Sequence, residues 1–158
     1  AGPLREKLDE LKNYDLVFLN GEKKNMKLAK KIKSINKNLK IFEANYKPTN
    51  LNKLDRKKKY LMFCGIGNPH EFENTLNKYN FKINKKIIFP DHYPINLKEI
   101  NTIKRIAKRE QLKIITTEKD YYRLSYNQKK NIKYLKIKIN IKNLKKFREI
   151  LLDINEKN

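Results

Sequence analysis

The chain of 158 residues holds only two histidines among 39 lysines and arginines. One of them, His92, stands beside a carboxylate and between two prolines in "FPDHYP" (89–94). Histidine is the side chain most easily tuned near neutrality, and a neighbouring acid can orient its ring, so Asp91–His92 is a candidate for general acid–base work. Adjacent residues often point apart, and then Asp91 instead caps the turn at Tyr93–Pro94. A second stretch, "GIGNPHEF" (65–72), places Gly65 and Gly67 in a tight turn and Asn68 at the start of a helix, whose free N–H groups suit an anion. The competing reading is a plain strand-to-helix turn. It is not a dinucleotide fingerprint, since the third glycine of that pattern falls at His70, which reads as a surface residue. A third stretch, "TTEKD" (116–120), gathers two hydroxyls, two carboxylates and a lysine. It reads either as an anion or substrate contact through Glu118, Lys119 and Asp120, or as a capped turn carrying surface charge. Asp91, Glu118 and Asp120 are hard oxygen donors, but nothing in their spacing assigns a metal to them.

Elements that position these motifs follow from periodicity and caps. Strands are expected at 15–20, 40–48, 60–64, 85–90, 113–117 and 134–141. A helix over 25–39 carries Leu28, Ala29, Ile32, Ile35 and Leu39 at helical spacing. Asn68, Pro69 and Glu71 signal a helix to about Asn80 that opens with a capping box. Asn96 and Glu99 cap another, with Leu97, Ile100, Ile103, Ile106 and Ala107 on one face. The stretch 118–124 reads as a turn and short helix. The last helix carries Leu144, Phe147, Ile150, Leu151 and Ile154. Strands alternating with amphipathic helices predict an α/β fold, a mostly parallel sheet flanked by helices in three layers. Each of the three motifs follows a strand, so all three belong at the carboxyl edge of that sheet, where α/β proteins bind ligands. The polar stretch 49–59 is the best candidate for a boundary.

Composition narrows the class. Hydrophobic residues make up 39% and charged residues 35%, with a net charge of +22. The apolar residues come in organised runs, which argues for a folded domain with a heavily solvated surface. No run approaches the ~18 residues of a membrane span, and the start shows no signal-peptide pattern. Cys64, the single cysteine, lies within "YLMFC" and reads as a buried thiol; one cysteine makes neither a disulfide framework nor a zinc site. The chain begins "AGPLREK" without an initiator Met and reads as an interior piece of something longer. The basic charge fits A/T-rich codon usage, attraction to an anionic membrane, or nucleic acid. Lysines are spread over nearly every segment, arginine is scarce, and no ring-and-glycine signature of an RNA-binding sheet occurs, so nucleic acid is not the expected partner. A basic nucleic-acid-binding module and a non-catalytic interaction domain stand as alternative functions.

"AGPLRE" (1–6), "GIGNPHEF", "FPDHY" and "TTEKD", in this order and spacing, resemble the C-terminal half of the tetraacyldisaccharide 4'-kinase family, the lipid A kinases of Gram-negative bacteria. The resemblance runs from Ala1 to about Leu124. It implies the C-terminal domain of a two-domain P-loop-type kinase, with residues 1–59 an inter-domain segment and strand linker and residues 60–158 the C-terminal α/β domain. It implies transfer of the γ-phosphate of ATP, with Mg2+, to the 4'-hydroxyl of tetraacyldisaccharide 1-phosphate, peripherally at the cytoplasmic face of the inner membrane. His92 would then be the base that pairs with an aspartate of the N-terminal P-loop domain, with Asp91 in support. Arg5, Glu6, Gly65, Gly67, Asn68, Glu118, Lys119 and Asp120 would lie near substrate or phosphate. The two prolines would hold His92 rigidly, as phosphoryl transfer rewards. No G-x-x-x-x-G-K-[ST] occurs in the chain, so ATP and Mg2+ belong mainly to the missing N-terminal domain, and this chain alone is not expected to turn over ATP.

Overall fold

The computed structural model describes residues 6–21 and 25–155, the last two by their backbone only. Contacts divide the chain into two units: one of residues 1–47 with 138–158, and one of residues 48–137. This division differs from the expected boundary after residue 59, because the last strand and helix join the first 47 residues.

The first unit is built on a three-stranded sheet of order β1-β2-β7, from β1 (Leu16–Asn20), β2 (Lys40–Pro48) and β7 (Ile137–Ile141). Strands β1 and β2 are parallel, with Phe18 level with Phe42. Glu43 contacts Lys142 and Asn45 contacts Asn140, so β7 runs antiparallel to β2. Helix α1 (Met26–Ile35) stops short of the expected residue 39. There the Asn36 side chain turns back: its amide donates to the Leu11 and Tyr14 carbonyls and its Oδ1 accepts from the N–H groups of Asn38 and Leu39. The core of this unit is a trio of rings, Phe18, Phe42 and Phe147, the last from helix α6 (Leu144–Asn155); its centroids lie 5.1 Å from Phe18 and 5.3 Å from Phe42.

The second unit holds a four-stranded sheet of order β4-β3-β5-β6, every pair parallel. Its strands are β3 (Lys59–Cys64), β4 (Lys82–Ile88), β5 (Lys113–Thr117) and β6 (Ile132–Leu135). Strand β3 is central, and its residues 60–64 are all buried, as its unbroken apolar run requires of a strand covered on both faces. Tyr60, Met62 and Cys64 pack under helix α2 (Pro69–Lys78) with Phe72, Leu76 and Phe81. Leu61 and Phe63 pack on the other face under helix α3 (Leu97–Arg109), with Ile100, Ile103 and Ala107. The two-residue period of the strand thus divides one sequence between two half-cores, which makes the three-layer α/β/α arrangement.

Two expectations need correction. The single strand over 134–141 is two strands, β6 and β7, which serve different sheets. Asn68 caps α2 by accepting from the Glu71 N–H, but among the described residues the reciprocal half of a capping box is found at Asn96–Glu99 and Ser125–Gln128 and not here.

Candidate functional site

Because β4, β3 and β5 are adjacent and parallel, the segments that follow them share one edge of the sheet. The segment after β4 continues the ladder for one residue, as the Phe89 N–H donates to the Cys64 carbonyl at 2.8 Å. A tight turn follows, closed by the Tyr93 N–H donating to the Pro90 carbonyl at 3.1 Å. His92 occupies its third position with φ +61°. Glycine or asparagine ordinarily fills such a position, because a Cβ there crowds the backbone.

The His92 backbone is held from both sides. Its N–H lies 3.0 Å from Asp91 Oδ1 and 3.3 Å from the Gly65 carbonyl, and its own carbonyl accepts from Arg123 Nη2 at 2.8 Å. The side chain, by contrast, is 71% exposed. Its Nε2 lies 3.4 Å from Lys119 Nζ and 3.9 Å from Asp91 Oδ1, and Lys119 Nζ lies 3.7 Å from the same Asp91 oxygen. An ammonium has only protons to offer, so its contact with Nε2 is compatible with a neutral imidazole carrying hydrogen on Nδ1. In that tautomer the Nε2 lone pair faces the Lys119 ammonium. Asp91 thus accepts from the His92 N–H, rather than at Tyr93–Pro94, and the same oxygen lies 3.9 Å from the ring.

The glycine loop and the "TTEKD" stretch meet at a buried carboxylate. Helix α4 (Glu118–Arg123) is capped by Thr117, whose Oγ1 accepts from the Asp120 N–H at 3.1 Å. Asp120 is 1% exposed, so it is not a surface charge. Its Oδ2 accepts from the Gly65 N–H at 3.0 Å and from the Thr117 hydroxyl at 2.8 Å. Its Oδ1 has no hydrogen-bond partner and lies 3.9 Å from Arg123 Nη1. Burial, with the Asp120 charge close by, pushes the Cys64 thiol up to about 11.

Neither described glycine of the loop has a positive φ; what they supply is space. A Cβ on Gly65 would meet the Pro90 carbonyl at 3.3 Å, and one on Gly67 would meet Asp91 Oδ2 at 3.1 Å. The Gly65 N–H is committed to Asp120.

His92, Asp91, Lys119, Gly65, Gly67 and Asp120 thus come together at one edge. Asn68 caps α2 beside them, and Glu118 is half-buried with Lys136 3.5 Å away. Glu6 belongs to the first unit, where it accepts from the Tyr14 hydroxyl at 3.0 Å and so raises that phenol's pKa. Arg5 lies outside the described residues. Sequence reasoning missed Arg123 and the inward turn of Asp120. No sequence signal marks either: Thr116, Asp120 and Leu124 are all buried, but Thr116 belongs to β5 and only Asp120 lies within α4. Asp91, Glu118 and Asp120 do not combine into a cation site, and no group of three or more His, Cys, Asp or Glu among the described residues could hold a metal ion.

The sequence profile of the family described as tetraacyldisaccharide-1-P 4'-kinase matches residues 1–156. The tetraacyldisaccharide 4'-kinase of Pelagibacter ubique (strain HTCC1062) is 40% identical over all of this chain and 51% of its own length. Those of Rickettsia canadensis and Rickettsia akari are 35% and 34% identical over 90% of the chain, covering 43% and 42% of their lengths. The chain spans about half the length of the curated relatives it matches. Among solved structures, the apo form of LpxK from Aquifex aeolicus, in complex with ATP, shares the fold with a TM-score of 0.60 at 18% identity, over 96% of this chain and 46% of that one. With the profile matching nearly end to end and relatives from two genera agreeing, the chain belongs to the tetraacyldisaccharide 4'-kinase family.

Proposed function

We propose that this chain is the C-terminal part of a lipid kinase that transfers the γ-phosphate of ATP to the 4'-hydroxyl of tetraacyldisaccharide 1-phosphate, in the lipid A biosynthesis of a Gram-negative bacterium. The observation that carries the reaction class is the family match over residues 1–156. ATP as donor is supported by the nucleotide named with the Aquifex relative. His92 is the base that draws the proton from the hydroxyl, sharing it with an aspartate of the N-terminal P-loop domain. The geometry suits this role: the backbone is fixed on both sides while the ring is exposed. Lys119, 3.4 Å from its Nε2, adds positive charge where phosphoryl oxygens would gather during transfer.

The described residues of this chain do not fit Mg2+. Asp120 spends one oxygen on Gly65 and Thr117, and Glu118 faces Lys136. The lack of a P-loop in the 158 residues supports the same reading, in which an N-terminal domain holds ATP and Mg2+. The protein works peripherally at the cytoplasmic face of the inner membrane; no helix of the described residues is long and apolar enough to cross a membrane. The net charge of +22 supports attraction to anionic lipid.

The test is transfer of labelled phosphate from ATP to tetraacyldisaccharide 1-phosphate by the complete kinase containing these residues. Turnover should fall by about 10²–10⁴ in His92→Ala, as for loss of a general base. Near-normal turnover in that variant would remove His92 from the mechanism, and no lipid product from the complete protein would overturn the assignment.

A further inference from the structure

We infer that Arg123, anchored by the buried Asp120, is a positioning residue that holds His92 in its left-handed backbone conformation. The inference rests on the reading of His92 as the base, and one arm of its test does not.

A non-glycine residue at φ +61° does not stay there unaided, because the extended and right-handed regions are open to it at lower energy. Something must hold the His92 carbonyl as well as the N–H. The N–H is held locally, by Asp91 of the same turn and by the Gly65 carbonyl. The carbonyl is held from another element, by Arg123 of α4. An arginine that is 38% exposed would ordinarily wander. Here it has a reason to stay: Asp120 Oδ1 is a buried carboxylate oxygen with no hydrogen-bond donor of its own, and the Arg123 guanidinium is the cation 3.9 Å from it. The other oxygen of Asp120 is already committed to Gly65 and Thr117, so the carboxylate cannot turn to reach elsewhere.

The planar fork thus has one arm directed at a charge that is fixed in place and the other at the backbone of the base. Asp120 also grips the Gly65 N–H while the carbonyl of the same glycine faces the His92 N–H. Both backbone handles of His92 therefore lead back to one carboxylate by two routes, through Gly65 and through Arg123. The imidazole takes no part in this and remains available for a proton. A lysine could neutralise Asp120 but offers a point charge in place of a fork, so charge and positioning can be separated.

The experiment labels the chain selectively at histidine; His70 and His92 are the only two, so each signal has one possible rival. In the parent chain His92 should show the strong contact between its amide proton and its own Hα that a positive φ produces. In Arg123→Met that contact should weaken and the signal should broaden or shift, while His70 stays put. Arg123→Lys should melt close to the parent yet show the same loss at His92. In the complete kinase both variants should lower kcat by about 10–100-fold, the scale of a misplaced catalytic group, with KM unchanged. An unaltered His92 signal in folded Arg123→Met would overturn the inference. If that variant does not fold, an unaltered signal in Arg123→Lys overturns it equally. A kinase that makes no lipid product even in its parent form defeats the functional reading instead, and the histidine signals still decide whether Arg123 holds the turn.

Discussion

Replacing His92 by alanine, asparagine and glycine separates what the position costs from what the side chain does. At φ +61° a residue with a Cβ bears a penalty of about 1–2 kcal/mol that glycine does not. Glycine returns about 0.5–1 kcal/mol of this through the greater freedom of its unfolded chain. His92→Gly should therefore be more stable than His92→Ala by about 0.5–1 kcal/mol, with His92→Asn between them because its short amide tolerates the left-handed region. Losing the imidazole itself changes little: its neighbours Lys119 and Asp91 are 3.4 and 3.9 Å away on side chains that are 47% exposed, which places the loss in the range of a few tenths of a kcal/mol. Urea midpoints of the three variants at neutral pH give the ranking. Turnover by the complete kinase should fall by about 10²–10⁴ in all three, so in glycine stability and activity move in opposite directions. Equal stability of the alanine and glycine variants would show that the turn carries no strain, and the argument that His92 has to be held there would collapse.

The thiol of Cys64, 0% exposed, should resist alkylation in the native chain at pH 8. Its rise from 9.0 to about 11 means that folding disfavours the thiolate. Its share of stability is therefore complete below pH 9 and is lost as the pH climbs to 11, by about 2–3 kcal/mol, measured as the difference in denaturation between parent and Cys64→Ala. Phe63→Ala, at the centre of β3 and 0% exposed, should cost about 3–5 kcal/mol in urea denaturation, whereas Leu152→Ala, 62% exposed, should stay within about 0.5 kcal/mol. Gly67→Ala must displace the half-exposed Asp91 carboxylate from 3.1 Å; the melting temperature should barely change, while kcat of the complete kinase drops about tenfold because the group that caps the His92 turn has moved.

Much of the second unit is legible in the sequence because its local and tertiary preferences agree. "YLMFC" can only be a strand covered on both faces, and Asn96 with Glu99 marks the start of α3, where the two halves of the capping box meet at 2.7 and 3.0 Å. Strand β4 is harder. Its first residues, 82–84, lie outside the expected strand, and a register shift opposite Tyr60 and Leu61 turns its half-buried residues to two faces: Ile83 packs with Tyr60 on the α2 side, whereas Lys85 pairs with Leu61 and Ile87 packs with Phe63 on the α3 side. A lysine stem can serve as apolar cover on an edge strand, and periodicity does not count it as such. The break between β6 and β7 is not legible at all. Apolar and polar residues alternate evenly from Leu135 through "LKIKINI", and only the separate sheets decide that Leu135 is buried in one and Ile139 exposed in the other. At the site, residue types point to His92 but not to what fixes it. A composition of two carboxylates and a lysine in "TTEKD" does not say which carboxylate turns inward, and Arg123 has no motif of its own.

The ring trio of the first unit has a consequence for how the chain is made. Phe18 and Phe42 leave the ribosome well before Phe147, whose edge-on contacts complete their cluster. At about 5–20 residues per second the two early rings wait on the order of 5–20 s for the third. The second unit, by contrast, is an uninterrupted segment, residues 48–137, and needs nothing synthesised after it. The vectorial order of translation therefore favours the interior segment closing first, while the first 47 residues remain open. During that interval two phenylalanines and a parallel strand pair lack their final cover. This is the period when a chaperone has most to bind, and when slowing or speeding the ribosome should alter the soluble yield.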